Sequence, residues 1–99
     1  MDERTIRRLL RRGRFSLSRH AIEEAFADGL DVADIRRALR TGEVIEEYPE
    51  RQRCLMFGWS RHAVPVHAVC DFTERDHLTV WTVYVPDEEE WLEYRVRKR

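Results

Sequence analysis

The sequence predicts an α+β domain in which an N-terminal helix and an αα-hairpin are followed by a four-stranded antiparallel sheet and a short C-terminal helix. Two observations predict it. Apolar residues recur at helical spacing as far as Gly42 and at every second position after it. The segments are also joined by short Gly, Pro, Ser or Asp punctuation rather than by long linkers. Sequential strands with tight turns pair as a meander, and the preceding helices cover one of its faces.

In order along the chain, residues 3–12 place Ile6, Leu9 and Leu10 on one stripe among arginines, and Gly13 ends this helix. Phe15-Ser16-Leu17 is a brief extended piece, and Ser18 is an N-cap. Ala21, Ile22, Ala25 and Phe26 mark the buried face of the second helix, which stops at Gly29. Asp31 caps a third helix with Asp34 in its first turn, where the helix dipole favours an acid. Ile35, Ala38 and Leu39 form its stripe and Gly42 closes it, so an αα-hairpin spans roughly residues 19–41. Four strands follow at 43–48, 53–59, 63–72 and 78–85, the last nearly all β-branched or aromatic. Pro86-Asp87 then opens a short helix through Glu88, Glu89, Glu90 and Trp91.

At 99 residues the chain is one domain with no room for a second core, and 42% hydrophobic content suffices for a modest one. The 37% charged fraction, high for such a core, points to an oligomer or a standing partner. No apolar run approaches the roughly 20 residues of a membrane span. The N-terminus lacks the apolar stretch of a secretory signal, and Cys54 and Cys70 are too few for a disulfide framework. A cytoplasmic protein with no membrane among its partners is expected. The net charge of -1 hides a segregation: residues 1–20 carry seven arginines against two acids, and residues 21–50 carry nine acids against three arginines. Basic ends around an acidic middle read either as a polyanion footprint or as solvated helix faces with a frayed tail at 95–99.

No two of His20, His62, His67 and His77 sit at ligand spacing, and no Gly-rich phosphate loop or nucleophile elbow occurs. No metal and no cofactor is therefore expected. The notable residues are polar ones inside apolar segments. His20 lies in the first turn of the second helix, His67 interrupts Val64–Val69, and Arg53 heads an apolar strand. Thr82 and Tyr84 share one face of the last strand. A three-residue loop at Arg61–Ala63 puts Arg53 on the face of His67, whereas a two-residue loop puts them on opposite faces. In the first register the set suits acid–base chemistry on a phosphodiester, with Arg53 facing the developing charge. Arg19, Arg51 and Arg61 are candidate phosphate or RNA contacts.

Ser18-Arg19-His20-Ala21 and the run from Ile35 to Gly42 into Val44-Ile45-Glu46 open a resemblance. It continues through Tyr48-Pro49 with Arg53, then Pro65-Val66-His67-Ala68-Val69, and ends with Thr82-Val83-Tyr84-Val85-Pro86-Asp87 and Trp91. Over about residues 18–91 these pieces resemble the bacterial family known as domain of unknown function 4258. The arginine-rich helix at 3–12 and the basic tail at 95–99 lie outside it. That family is similar in layout to the RelE/ParE-like toxins. The resemblance implies a toxin of a toxin–antitoxin pair, a metal-independent endoribonuclease that cleaves RNA through its 2′-hydroxyl. Its implied partners are RNA, on or off the ribosome, and a cognate antitoxin protein. His20, Arg53, His67, Thr82 and Tyr84 carry over as its catalytic candidates. The alternative is a non-catalytic module of the same fold that binds a protein or a second copy of itself as a homodimer.

Overall fold

Side-chain caps start each helix where the chain would otherwise leave backbone N–H groups open. In α1 (Glu3–Arg11) the Asp2 carboxylate accepts the Thr5 N–H at 2.8 Å, and in α2 (Arg19–Ala27) the Ser18 hydroxyl accepts the Ala21 N–H at 2.9 Å. A reciprocal capping box of Asp31 and Asp34 opens α3 (Val32–Thr41). The computed structural model describes residues 1–99. Its strands are β1 (Phe15–Leu17), β2 (Glu43–Tyr48), β3 (Arg53–Trp59), β4 (Pro65–Asp71), β5 (Leu78–Tyr84), β6 (Trp91–Leu92) and β7 (Val96–Arg97).

The α+β class and the β2–β5 antiparallel meander agree with the expectation, but the sheet is five-stranded and mixed, in the order β1-β5-β4-β3-β2. The brief piece at 15–17 pairs parallel with Leu78–Val80. Three residues are too few to show a period, so only the pairing reveals them as a strand. The rest of the outer edge of β5 is covered by α2: Ser18 Oγ donates to the Trp81 carbonyl, and the Glu24 and Asp28 carboxylates accept the N–H groups of Val83 and Val85. Side chains thus block an edge that would otherwise invite another strand.

The expected C-terminal helix is absent. Asp87 closes one turn, accepting from Glu89 on its side chain and from Glu90 on its carbonyl. Glu93 and Tyr94 then take positive φ (51° and 62°), the sign pattern of a hairpin turn, and β6 and β7 pair. The tail is likewise no frayed end, since residues 96 and 97 form β7.

The three helices pack on one face of the sheet. Ile6, Leu9 and Leu10 of α1, Ala21 and Ala25 of α2, and Ile35, Ala38 and Leu39 of α3 meet Cys54, Met56, Val66, Ala68, Cys70, Leu78, Val80 and Val83. Ile22 and Phe26, expected in the core, are 38% and 77% exposed. Because α2 lies along β5, only its alanine stripe turns inward. At Gly58 a Cβ would lie 2.0 Å from the Ala38 carbonyl oxygen, so glycine lets α3 settle directly on β3.

Two bulges set which side chains face the other side. Glu43 pairs with Phe57 and Glu46 with Leu55, so the extra residue at Ile45 turns both glutamates to one face. A second irregularity, at Trp81 between Val80 and Thr82, does the same for Thr79 and Thr82. The turn between β3 and β4 has the three-residue form: Ser60 N–H bonds the Val64 carbonyl at 2.9 Å, Trp59 pairs with Pro65, and Ala63 is left-handed at φ 61°. Arg53 and His67 therefore lie on the same face, opposite the helices.

Candidate functional site

On that second face, β4 and β5 bring His67 beside Tyr84 as direct cross-strand partners. The β6–β7 hairpin folds over them. His67 is fully buried, with its Nε2 2.7 Å from the Tyr94 carbonyl oxygen and its Nδ1 3.2 Å from the Tyr84 hydroxyl. A carbonyl only accepts, so Nε2 carries the proton and Nδ1 accepts from Tyr84 O–H. Burial lowers the pKa of His67, outweighing the opposite effects of the Tyr94 carbonyl and the Glu46 charge. The imidazole is thus neutral at pH 7. Burial likewise raises Tyr84 above the ordinary tyrosine value.

Trp91 of β6 stands edge-on to His67, ring centroids 4.5 Å apart, and its other neighbour is the Arg97 guanidinium, 4.6 Å from the indole centroid. Arg97 forks onto Glu46, Nε to Oε2 at 2.9 Å and a terminal nitrogen to Oε1 at 3.2 Å, and the Tyr48 hydroxyl donates to the same carboxylate. Burial pushes Glu46 upward, but the bonds from Arg97 and Tyr48 prevail and hold its pKa below the usual glutamate value. Burial and the Glu46 carboxylate raise Tyr48. Arg95 reaches Glu43 at 2.5 Å and stacks over Phe57 at 4.7 Å. An ionised carboxylate, a guanidinium, a neutral imidazole of fixed tautomer and two phenols therefore meet beneath one short hairpin.

The structure brings together only part of the set named from sequence. Tyr84 and His67 touch. Thr82 pairs with Val69, one step down the same face. Arg53 shares the face but pairs with Asp71, Nε to Oδ2 at 3.1 Å. It lies four residues from the His67 level on β3, roughly 13 Å along the strand. His20 sits on α2, its side chain 67% exposed and 3.3 Å from Glu24. It belongs to the helical side and does not enter the cluster. Among the expected phosphate contacts, Arg19 is paired with Glu23 and Arg61 with Asp31 and Asp34, while Arg51 is exposed in the turn at Pro49–Arg51.

Glu46, Tyr48, Trp91, Tyr94 and Arg97 were missed as site residues. A signal existed for three of them, since Glu46, Tyr48 and Trp91 stand inside the motif pieces that carried the resemblance. Nothing local to Arg97 distinguishes it from the other arginines of the tail.

The family model for domain of unknown function DUF4258 matches residues 17–85. The chain belongs to this family. The DUF4258 match begins at the last residue of β1 and holds α2, α3 and β2 through β5, including Glu46, Tyr48, His67 and Tyr84, and stops before the hairpin that carries Trp91, Tyr94 and Arg97. No curated protein and no solved structure gives a significant match. No helix is long and apolar enough to cross a membrane.

Proposed function

We propose that this DUF4258 protein is a toxin of RelE/ParE-like layout, a metal-independent endoribonuclease held in check by a cognate antitoxin. One observation carries the reading: the Glu46–Arg97–Tyr48 triplet adjoins the His67–Tyr84 pair across Trp91. Cleavage needs a base for the ribose 2′-hydroxyl, an acid for the departing 5′-oxygen and a cation for the phosphorane. Arg97 rides on the hairpin, so lifting the hairpin for substrate also takes Arg97 from Glu46 to the phosphate. The freed Glu46 carboxylate then takes the 2′-hydroxyl proton as the 2′-oxygen attacks phosphorus. Tyr84 gives its proton to the 5′-oxygen as the P–O5′ bond breaks, leaving a 2′,3′-cyclic phosphate and a 5′-hydroxyl. For that step the Tyr84 hydroxyl turns from His67 Nδ1 to the 5′-oxygen; afterwards Glu46 loses its proton to solvent, the Tyr84 phenolate takes one from solvent, and the hydroxyl returns to neutral His67.

A second reading is favoured by the burial of His67, whose two ring nitrogens are both held within the chain. A non-catalytic module that binds a partner protein would need such a network only to fix its fold. Induced expression in bacteria separates the two. The nuclease reading expects growth arrest and RNA with cyclic-phosphate ends from wild type, and neither from Glu46→Gln or Tyr84→Phe variants that fold. Intact growth and intact RNA with wild type, with and without ribosomes, would leave the binding module.

A further inference from the structure

The positive charge of the chain gathers on the helical side, away from the sheet site. Where the C-terminal turn of α1 meets α3, Arg11, Arg36 and Arg40 line a cleft of about 200 Å³ with Leu10, Gly13 and Phe15. On the neighbouring flank of that turn, Arg8, Arg12 and Arg14 line a second cleft of about 270 Å³ with Leu9 and Asp76. None of these six arginines enters an ion pair, whereas Arg19, Arg53, Arg61, Arg95 and Arg97 each hold a carboxylate.

The imbalance follows from where the acids are spent. Glu24 and Asp28 cover the edge of β5, Asp31 and Asp34 cap α3 and hold Arg61, and Glu43 and Glu46 tether the hairpin. The near-neutral total of the chain therefore conceals an arginine face whose six guanidinium groups share their clefts with two carboxylates, Asp76 and, beside Arg11, Glu3. Attraction to helix C-termini accounts for part of the pattern, since Arg8, Arg11 and Arg40 lie in last turns. Arg12, the C-cap of α1, belongs with them, but the attraction does not account for Arg14 and Arg36.

We propose that this face binds the phosphodiester backbone of a nucleic acid. Planar guanidinium groups match phosphate oxygens two at a time. Arg4, Arg8 and Arg12 recur every four residues along α1, rungs roughly 6 Å apart. That spacing offers a track to an extended polyanion rather than a pocket for one anion. The acidic segment of a second copy is a poor occupant, because internal bonds already engage seven of its nine carboxylates, the six just described and Glu23 on Arg19. The proposal stands apart from the cleavage reading, whose residues lie on the opposite face of the sheet.

The test is fluorescence anisotropy of a labelled 12-nucleotide single-stranded RNA, the same DNA sequence and a polyglutamate peptide between 50 and 200 mM salt. Six phosphate contacts give a log–log salt slope of about −4 on single strands. The pairs Arg8→Gln/Arg11→Gln and Arg36→Gln/Arg40→Gln should each flatten that slope by about 1.4. The pair Lys98→Gln/Arg99→Gln, on the exposed tail away from both clefts, should leave it unchanged. Equal binding of RNA and DNA supports backbone recognition, and preference for RNA supports it with the 2′-hydroxyl as an added contact. Wild-type slopes in both α1 and α3 variants overturn the proposal, as does polyglutamate binding as tight as RNA. A Tyr84→Phe chain that neither arrests growth nor cleaves RNA but binds RNA normally would keep the two readings separate.

Discussion

The seat of α3 on the sheet offers the sharpest quantitative test of the fold. A Cβ at residue 58 would stand 2.0 Å from the Ala38 carbonyl oxygen, 2.7 Å from its carbonyl carbon and 2.9 Å from its Cα. All three are backbone atoms of a helix, so no side chain can swing aside. Ordinary contact begins at 3.4 Å, which requires α3 and β3 to separate locally by about 1.4 Å. A gap of 0.5–1 Å already forfeits roughly a quarter to a half of the dispersion energy of facing atoms. The contacts at stake are those of Ile35, Ala38 and Leu39 with Met56 and Cys54. Gly58→Ala should therefore reach or pass the upper end of overpacking costs, about 3 kcal/mol. For a chain of this size that lowers Tm by roughly 12–24 °C. Gly13→Ala is the control: nothing lies within 4 Å of its Cβ, and only its φ of 70° is unfavourable, at about 1 kcal/mol. Thermal and urea unfolding followed by circular dichroism measures both. A Gly58→Ala protein within 1 kcal/mol of wild type, or less affected than Gly13→Ala, would refute the direct seating of α3.

The pH dependence of stability carries the signature of His67. Its folded pKa lies below the ordinary 6.5, so just below pH 6.5 the unfolded chain binds a proton that the folded chain lacks. Stability is thus complete above 6.5 and falls as pH drops from there toward the folded value, a slope that His67→Gln should abolish in urea titrations. A second loss at lower pH comes from Asp34, Asp71 and Glu46, whose pKa values are all lowered in the fold. Trp91→Ala should cost about 3 kcal/mol by removing a buried indole and let the pKa of His67 rise toward 6.5, which an NMR titration of the ring would follow. Glu24→Ala with Asp28→Ala should leave the Val83 and Val85 N–H groups unpaired at the rim of β5, costing about 1–2 kcal/mol and promoting association visible by light scattering.

Much of the architecture was legible because it rests on local rules. Ser18 and Asp31 announce their helices by capping them, Gly29 and Gly42 end them, and the change of period at Gly42 marks the entry to the meander. What escaped rests on pairing over distance. Phe15–Leu17 has no pattern of its own and is a strand only because Leu78–Val80 lies beside it. The bulge at Ile45 breaks strict alternation, so Glu43 and Glu46, three apart, face the same way against expectation. Strands of two residues in the hairpin are shorter than any periodicity can register. The candidate site divides along the same line. His67 and Tyr84 were legible as polar interruptions of apolar strands, whereas Glu46 and Arg97 needed the bulge and the hairpin to meet. The sequence left open whether Arg53 and His67 share a face, and they do. Their separation along the strands is a matter of register that composition cannot express.

The hairpin that covers the sheet is tethered to the surface it occupies by only the few residues between Tyr84 and Trp91. Trp91, Arg95 and Arg97 thus act as an intramolecular ligand, present at the face at an effective concentration in the millimolar range. Any ligand that seeks His67 and Glu46 must outcompete it, so the face is selective against weak binders before any contact is made. Because the DUF4258 match ends at residue 85, the competitor and the surface it guards belong to separate stretches of sequence. Occupancy of the face can therefore be retuned by changing a handful of C-terminal residues while the sheet beneath stays as it is.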